Sequence, residues 1–341
     1  PHPPSMNPDE VAYHEISDPA VMNKCPLVSV KMITYNHEPY IAQAIEGVLM
    51  QETDFPIELV IGEDCSTDRT REIVLEYQRR RPDVIRVVLW DKNVGAGRNS
   101  QELDELLRGE FIAFNEGDDY WVHPKKLQRQ VSLLEKHPDC ALCFSDGIIA
   151  SEFDQSRVVE RMPLPEHNRA KFLDLLQGIP LTCTLVYRRV VVDSRPDWFP
   201  SVKLGTHGAL VRFSSQFGDA IRVPEPMAVY RKHAGGAWSG CDAIARMEAA
   251  RHKQSISQVH FGREYWKHFE RGKAKLDLDL SLAYKRIGRR ACAAHLLLRA
   301  AYSYPPILLS KQFLSVLLRM YCGSLYGVAR SLSRSARTLR K

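Results

Sequence analysis

Phe114-Asn-Glu-Gly-Asp-Asp-Tyr-Trp121 closes a strand-like run that opens at Gly109-Glu110-Phe111-Ile112-Ala113, and it packs Glu116, Asp118 and Asp119 into four positions. Carboxylates this close repel one another, so a fold seldom keeps them at a strand end without a cation. Their oxygens are natural ligands of Mg²⁺ or Mn²⁺, ions that usually share their coordination shell with substrate phosphates. The plainer reading is an acidic turn ahead of a helix that starts near Pro124. The flanking sequence decides between the two.

Outward from this turn, strands and helices alternate. Leu27–Thr34 is a β-branched run ending in Tyr35-Asn36-His37-Glu38, and Ile41, Ala44, Ile45, Val48 and Leu49 then recur at helical spacing. Ile57–Ile61 is a short strand before the acidic turn 63–68, whose Ser66, Thr67 and Asp68 are N-capping types for a helix reaching about Arg81. A strand is expected over Val84–Trp90 and a helix over Ala96–Arg108; another helix follows over Lys125–His137 and another strand over Ala141–Ser145. Strands separated by helices of this length imply a parallel, helix-covered α/β sheet. Ligands of such sheets bind beyond the carboxyl ends of the strands. The turns at 35–36, 63–64 and 116–119 all follow strands and should converge there.

The 341 residues carry a net charge of +6 that hides a division. Residues 280–341 hold 12 Lys/Arg and no Asp or Glu, which leaves 35 basic against 41 acidic residues in the remainder. A basic tail on an acidic body suits a membrane surface, a polyanion or a phosphorylated lipid. Ile307–Ala329 has Lys311, Ser315, Arg319 and Cys322/Gly323 along one stripe and Leu309, Phe313, Val316, Leu317 and Met320 opposite, a helix for a bilayer interface or for a protein groove such as the catalytic body offers. No run of 18 uncharged apolar residues exists, so a spanning helix is not expected. Residues 1–24 read as a flexible leader, proline-rich at its start and without the apolar core of a signal peptide. Cys140 and Cys143 form the only CxxC pair; in a strand they point to opposite faces, and no further ligand pair completes a zinc site. Buried thiols in a reducing cytoplasm follow from that. Tyr284, Gly288, Ala293, Ala300 and Pro305 match half a tetratricopeptide repeat, but a single unit predicts a helical hairpin rather than an array.

Five segments, taken in order, resemble the family 2 glycosyltransferases of the GT-A fold. They are Val28–Asn36, Gly62–Asp68, Asn93–Asn99, Glu116–Trp121 with Lys126–Gln130, and Met227–Trp238. The resemblance covers about 25–240 and implies a GT-A domain there, with a basic helical region over 241–341. It implies a metal-dependent, inverting, non-processive hexosyl transfer from a nucleotide-diphosphate sugar to a hydroxyl acceptor. The setting would be bacterial polysaccharide or glycoconjugate assembly, at the cytoplasmic face of a membrane and with a lipid-linked acceptor. Nucleic acid is not a partner. Thr34, Tyr35, Asn36 and Glu38 would form the first nucleotide-binding turn, with Tyr35 against the base. Glu63 and Asp64 would meet the base or ribose. Arg98 would reach the diphosphate or else lie in solvent on its helix. Asp118, of the DxD-like Glu116-Gly117-Asp118, would bind Mn²⁺ or Mg²⁺ together with His233. Glu116 and Asp119 would line the donor site.

One segment departs from the pattern. Where inverting members place an aspartate base, about twenty residues before Tyr230-Arg-Lys-His233, this chain reads Lys203-Leu-Gly-Thr-His-Gly208. Thr206 cannot take a proton at neutral pH, whereas His207, with an ordinary pKa near ~6.5, can. His207 and Thr206 are therefore the catalytic candidates at this position, with a carboxylate elsewhere in the chain as the other source of the base. Two alternatives remain: a pseudo-transferase that binds nucleotide without transfer, and a nucleotidyltransferase. The second lacks its expected Gly-rich basic loop after the first strand. A processive synthase would need spanning helices and a Gln-x-x-Arg-Trp signature, which are missing.

Overall fold

The computed structural model describes residues 12–160, 162, 168–196, 199 and 206–321. In chain order the elements are β1 (Tyr13–Ile16), α1 (Pro19–Met22), β2 (Val28–Thr34), α2 (Ile41–Leu49), β3 (Ile57–Glu63), α3 (Thr70–Arg80), β4 (Ile85–Trp90), α4 (Ala96–Leu106), β5 (Phe111–Phe114), β6 (Tyr120–Trp121), α5 (Lys126–Lys136) and β7 (Cys140–Ser151). There follow β8 (Arg157–Glu160), β9 (Arg169–Ala170), α6 (Phe172–Gln177), β10 (Leu185–Arg188), α7 (Arg189–Asp193), α8 (Thr206–Ser214) and β11 (Asp219–Lys232). Four further α-helices complete the described residues: α9 (Ala243–His260), α10 (Trp266–Arg286), α11 (Arg290–Ser303) and α12 (Lys311–Tyr321). The chain divides into two compact units, one of residues 1–201 and 206–236, the other of 202–205 and 237–341.

In the first unit one mixed sheet runs β1-β4-β3-β2-β5-β10-β7-β11-β6. The expected parallel core is β4-β3-β2-β5. Beyond it β10 is antiparallel to both neighbours, while β7 and β11 pair in parallel. β2 lies centrally; Val28, Val30 and Met32 are fully buried against Ile41, Ile45 and Val48 of α2. The apolar residues that defined α2 in the sequence are thus the ones that meet the sheet. In register, Thr34 of β2 stands opposite Glu63 of β3, and Lys31 opposite Phe114 of β5. The segments after these three strands therefore emerge along one edge.

Residues 13–22, expected within a flexible leader, are structured. β1 pairs antiparallel with β4. Without it, β4 would present an open edge. Tyr13 meets Trp90 edge-to-face with centroids 5.2 Å apart, and Glu15 accepts from Arg86 Nη2 at 2.7 Å. Burial of the Arg86 guanidinium requires such a carboxylate. Residues 1–11 lie outside the described residues.

The second unit is a helical assembly whose core joins Ala274 and Leu278 of α10, Leu297 and Ala300 of α11, Ile307, and Phe313 and Val316 of α12. The expected hairpin is α10–α11, turned at Gly288 with φ +80°, a left-handed conformation that glycine adopts without penalty. The amphipathic stretch 307–329 is described only as far as 321. No helix among the described residues is long and apolar enough to cross a membrane.

Candidate active site

The turns after β2 and β3 are laced together by their own polar groups. Asn36, at φ 53°, accepts from Thr67 N at 2.8 Å, and its own N–H donates to Ser66 Oγ at 3.0 Å. Asparagine tolerates this left-handed conformation better than most side chains. His37 N donates to Thr70 Oγ1 (2.8 Å), Glu38 N to Asp68 Oδ2 (3.0 Å), and Arg69 N to Glu38 Oε2 (3.1 Å). Glu63, fully buried, accepts from Ser66 N at 2.7 Å and pairs with Arg71. Asp64 spends both oxygens on the loop before α4, accepting Val94 N at 2.7 Å and Gly95 N at 2.9 Å; burial nevertheless raises its carboxyl above the usual range. Asn36, Glu38, Glu63 and Asp64 thus hold the two turns and the loop before α4 together. Tyr35 is left 40% exposed at the tip of β2. Arg98 sits on the first turn of α4, 3.7 Å from Glu102 and 5.5 Å from the Trp90 ring centroid.

The turn after β5 is held differently. Gly117 N donates to Ile33 O at 2.9 Å, so this loop lies directly on the end of β2. A Cβ at Gly117 would come 2.6 Å from Thr34 Oγ1 and 2.9 Å from His37 Nδ1, which only glycine avoids. Glu116, Asp118 and Asp119 each bring an oxygen within 4.8 Å of the others. Asp118 Oδ2 lies 3.0 Å from His233 Nε2 and 3.9 Å from His37 Nε2. Asp119 is fully buried; Oδ1 accepts Arg231 N at 2.9 Å, and the Cys183 thiol is the carboxylate's side-chain partner.

The electrostatics follow from this crowding. Burial, then the charge of Asp118, push the Glu116 carboxyl up to about 7 against the opposing pull of Lys31. Burial, then Asp118 and Glu116, raise Asp119 well above the carboxylate range. Burial works the same way on Asp118, but the His233 hydrogen bond and the two histidines outweigh it and hold that carboxyl low. One firmly ionised carboxylate therefore stands beside two that resist ionisation. A divalent cation relieves that conflict, and hard oxygen donors in this number fit Mg²⁺ or Mn²⁺.

Three neighbours had no assigned part in the sequence reading. His37 pairs with Thr34 Oγ1 at 3.2 Å, and burial lowers its pKa. The Tyr40 ring packs at a tilt against His233, with centroids 4.6 Å apart and planes at 53°. Arg231 donates Nη1 to Asp118 O at 2.6 Å and lies over the Tyr120 ring at 4.2 Å. Arg231 lies on β11 and His233 one residue past its end, two positions on, and that period-two spacing was the available signal. For His37 the signal was its place three residues after Thr34.

The Lys126–Gln130 segment supports the loop from below. Lys126 is fully buried over the Trp121 ring (4.2 Å to the centroid), bonded to Gln130 Oε1 at 2.7 Å, with its pKa lowered to about 7 by burial. Gln130 Nε2 donates to Thr184 O and Trp121 Nε1 to Cys183 O, both at 2.8 Å. Thr206 and His207 open α8, both half-buried; α8 packs against α6, α7 and β7.

Comparison with known proteins agrees with this geometry. A family profile described as Glycosyl transferase family 2 matches residues 29–195. An uncharacterised protein of Mycobacterium tuberculosis is 36% identical over 219 residues, covering 62% of this chain and 60% of that relative's length. An uncharacterised glycosyltransferase of a Nostoc species is 28% identical over 270 residues, covering 76% of this chain and 81% of its own. The mannosyltransferase PcManGT of Pyrobaculum calidifontis, solved with GDP-Man and Mn²⁺, superposes with a TM-score of 0.56 at 17% identity, covering 90% of this chain and 87% of its own. At that identity the likeness speaks for the GT-A fold.

Proposed function

The chain belongs to glycosyltransferase family 2 through residues 29–195, and from that premise we propose that it moves a hexosyl group from a nucleotide-diphosphate sugar to a hydroxyl acceptor with inversion, one residue per encounter. The observation that carries this reading is the carboxylate trio with His233 against Asp118 and Asp119 fully buried behind them. In this reading Asp118 and His233 hold Mn²⁺ or Mg²⁺, and Glu116 and Asp119 complete the acidic wall. When bound, the ion neutralises charge that builds on the departing nucleoside diphosphate. Tyr35, exposed at the strand tip, stacks on the base, and Thr34 bounds the diphosphate beneath it. Arg98 keeps a solvent-facing guanidinium that can swing from Glu102 to the diphosphate.

The acceptor proton is assigned to His207. The first turn of α8 has no acidic residue, and a histidine whose ordinary pKa is near ~6.5 takes a proton at neutral pH where Thr206 does not. Transfer should then fall as pH drops through the histidine range. His207→Ala should lose transfer while keeping donor binding, and Thr206→Asp should raise the rate. That same bare first turn favours a second reading, a nucleotide-binding pseudo-transferase. Donor binding with no transfer in either the parent or Thr206→Asp would establish it.

Thermal stabilisation across a panel of nucleoside diphosphates, with and without Mn²⁺, tests the core of the proposal. One nucleotide should stabilise the parent only with metal, and Asp118→Ala should abolish the response. Equal nucleotide affinity in parent and variant, measured by calorimetry with Mn²⁺ present, would sink it.

The helical unit supports action at a membrane in bacterial glycan assembly, with a lipid-linked acceptor at the cytoplasmic face. Tyr302 and Leu309 are each 90% exposed and Leu298 70%. Each basic side chain near an anionic surface adds about 1 kcal/mol, fading over a Debye length. Co-sedimentation with anionic vesicles should weaken with salt and drop on joint Tyr302→Glu and Leu309→Glu replacement; indifference to lipid charge excludes this location.

A further inference from the structure

The helices α9, α10 and α11 line a cavity of about 530 Å³ that the chemistry above does not use. Asp277 of α10 is fully buried and ties two arginines of that cavity's wall together. Its Oδ1 accepts Arg251 Nε from α9 at 2.6 Å and Arg299 Nη2 from α11 at 2.6 Å; its Oδ2 accepts Arg299 Nε at 3.0 Å. Those bonds fix both guanidinium planes. They leave both terminal nitrogens of Arg251, and Nη1 of Arg299, with no hydrogen-bond partner among the described residues. His252 and His295 share the wall. Glu248 shares it too, with its carboxylate bonded by Tyr284 Oη.

One carboxylate between two guanidiniums leaves one positive charge, which Glu248 of the wall offsets, so the positive excess comes from the surroundings. Residues 237–321 hold 15 Lys/Arg against 6 Asp/Glu. Terminal N–H groups held in fixed planes match the oxygens of a tetrahedral phosphate, and the shared aspartate has already ordered the side chains. The rest of the wall includes Leu280, Leu296 and Ala291, so the space exceeds what an inorganic ion needs and has an apolar side for an organic remainder. The geometry points to a phosphomonoester-binding site in the helical unit, separate from the carboxylate cluster. The phosphate belongs either to a soluble metabolite or to a lipid headgroup. Glu248 is the one group of the wall that opposes the bound anion.

The test uses the full chain with a chelator present, so that no metal recruits phosphate to the carboxylate cluster. Inorganic phosphate and glycerol 3-phosphate are titrated by calorimetry, and phosphatidylcholine vesicles with and without phosphatidic acid by co-sedimentation. Saturable binding is expected from the soluble probes, from the phosphatidic acid vesicles, or from both; the responding set identifies the source. Arg299→Gln should weaken it about tenfold or more, the weight of a charge-assisted hydrogen bond. Because that change also disturbs Asp277, Ala291→Glu serves as the second variant. Ala291 is exposed on the first turn of α11 and lines the cavity, so a carboxylate there should abolish binding without disturbing the core. Glu248→Gln should tighten binding. Lys275→Glu, exposed on α10 and outside the cavity wall, should change it less than twofold. No saturable binding of any probe, parent-level binding by Ala291→Glu, or an equal loss in Lys275→Glu would each overturn the assignment.

Discussion

Asp118, half-buried, and Asp277, fully buried, are both carboxylates that two basic side chains approach, yet their neighbourhoods are opposite in balance. Asp118 shares its loop with Glu116 and Asp119 and meets only two histidines, His233 at 3.0 Å and His37 at 3.9 Å. Asp277 stands without another carboxylate in its hydrogen-bond set and receives three bonds from two arginines. The first set has more negative charge than it can neutralise; the second has more positive charge than it needs. Burial magnifies each imbalance, because a low dielectric strengthens both the pairings and the repulsions. What a buried charge is for is read from the sum of its neighbours, not from its own type.

If the first set awaits a cation, Asp118→Ala should lower Mn²⁺-supported transfer by about 100-fold or more, since metal stabilisation amounts to several kcal/mol at ~1.4 kcal/mol per decade. A steady-state assay at saturating Mn²⁺ reads this, and a loss under threefold breaks the comparison at its first term. Asp277→Asn should destabilise the helical unit by about 3 kcal/mol, the low end for breaking a buried pair, because both arginines keep partial solvent contact. Hydrogen exchange of α10 and α11 amides measures it. Unchanged protection would mean the arginines never needed the aspartate.

Arg231→Ala removes the clamp on the Asp118 carbonyl and should weaken Mn²⁺ affinity about 10–100-fold, the usual cost of losing a residue that orients metal ligands. Metal titration by calorimetry checks it, and an unaltered affinity assigns Arg231 to packing alone. Glu116→Gln should have the smallest effect and the opposite sign. The folded Glu116 carboxyl is raised to about 7, so its ionisation costs stability as pH climbs from the unfolded value near ~4.3 through 7, and that cost is absent below the window. Metal-free Glu116→Gln should therefore melt higher than the parent above pH 7, by about 1 kcal/mol once solvent access is discounted, and match it near pH 4. Equal melting at pH 8 would show that the three carboxylates do not contend.

Much of this molecule is legible along the chain. The apolar periods of Val28–Thr34 and Ile41–Leu49 specify a strand and a helix because one face of each must leave water, and the alternation of such pieces demands a helix-covered sheet. Local spacing also singles out Glu116–Asp119, since three carboxylates in four positions are close in any fold. The antiparallel insertion of β10, the pairing of residues 13–16 with β4, and the split of the chain near 236 depend on which edges and faces were left open, which no local pattern records. Tertiary structure alone sorted the polar turn residues. Asn36, Glu38, Glu63 and Asp64 tie their turns together through nearby backbone amides and Arg71, whereas His37, from the turn after β2, and Arg231, from β11, meet around Asp118. Sequence determines which groups carry chemistry because that is a property of each side chain. Only the fold decides which are free to use it, because a hydrogen bond already made in a buried turn costs the full desolvation of its partner to break.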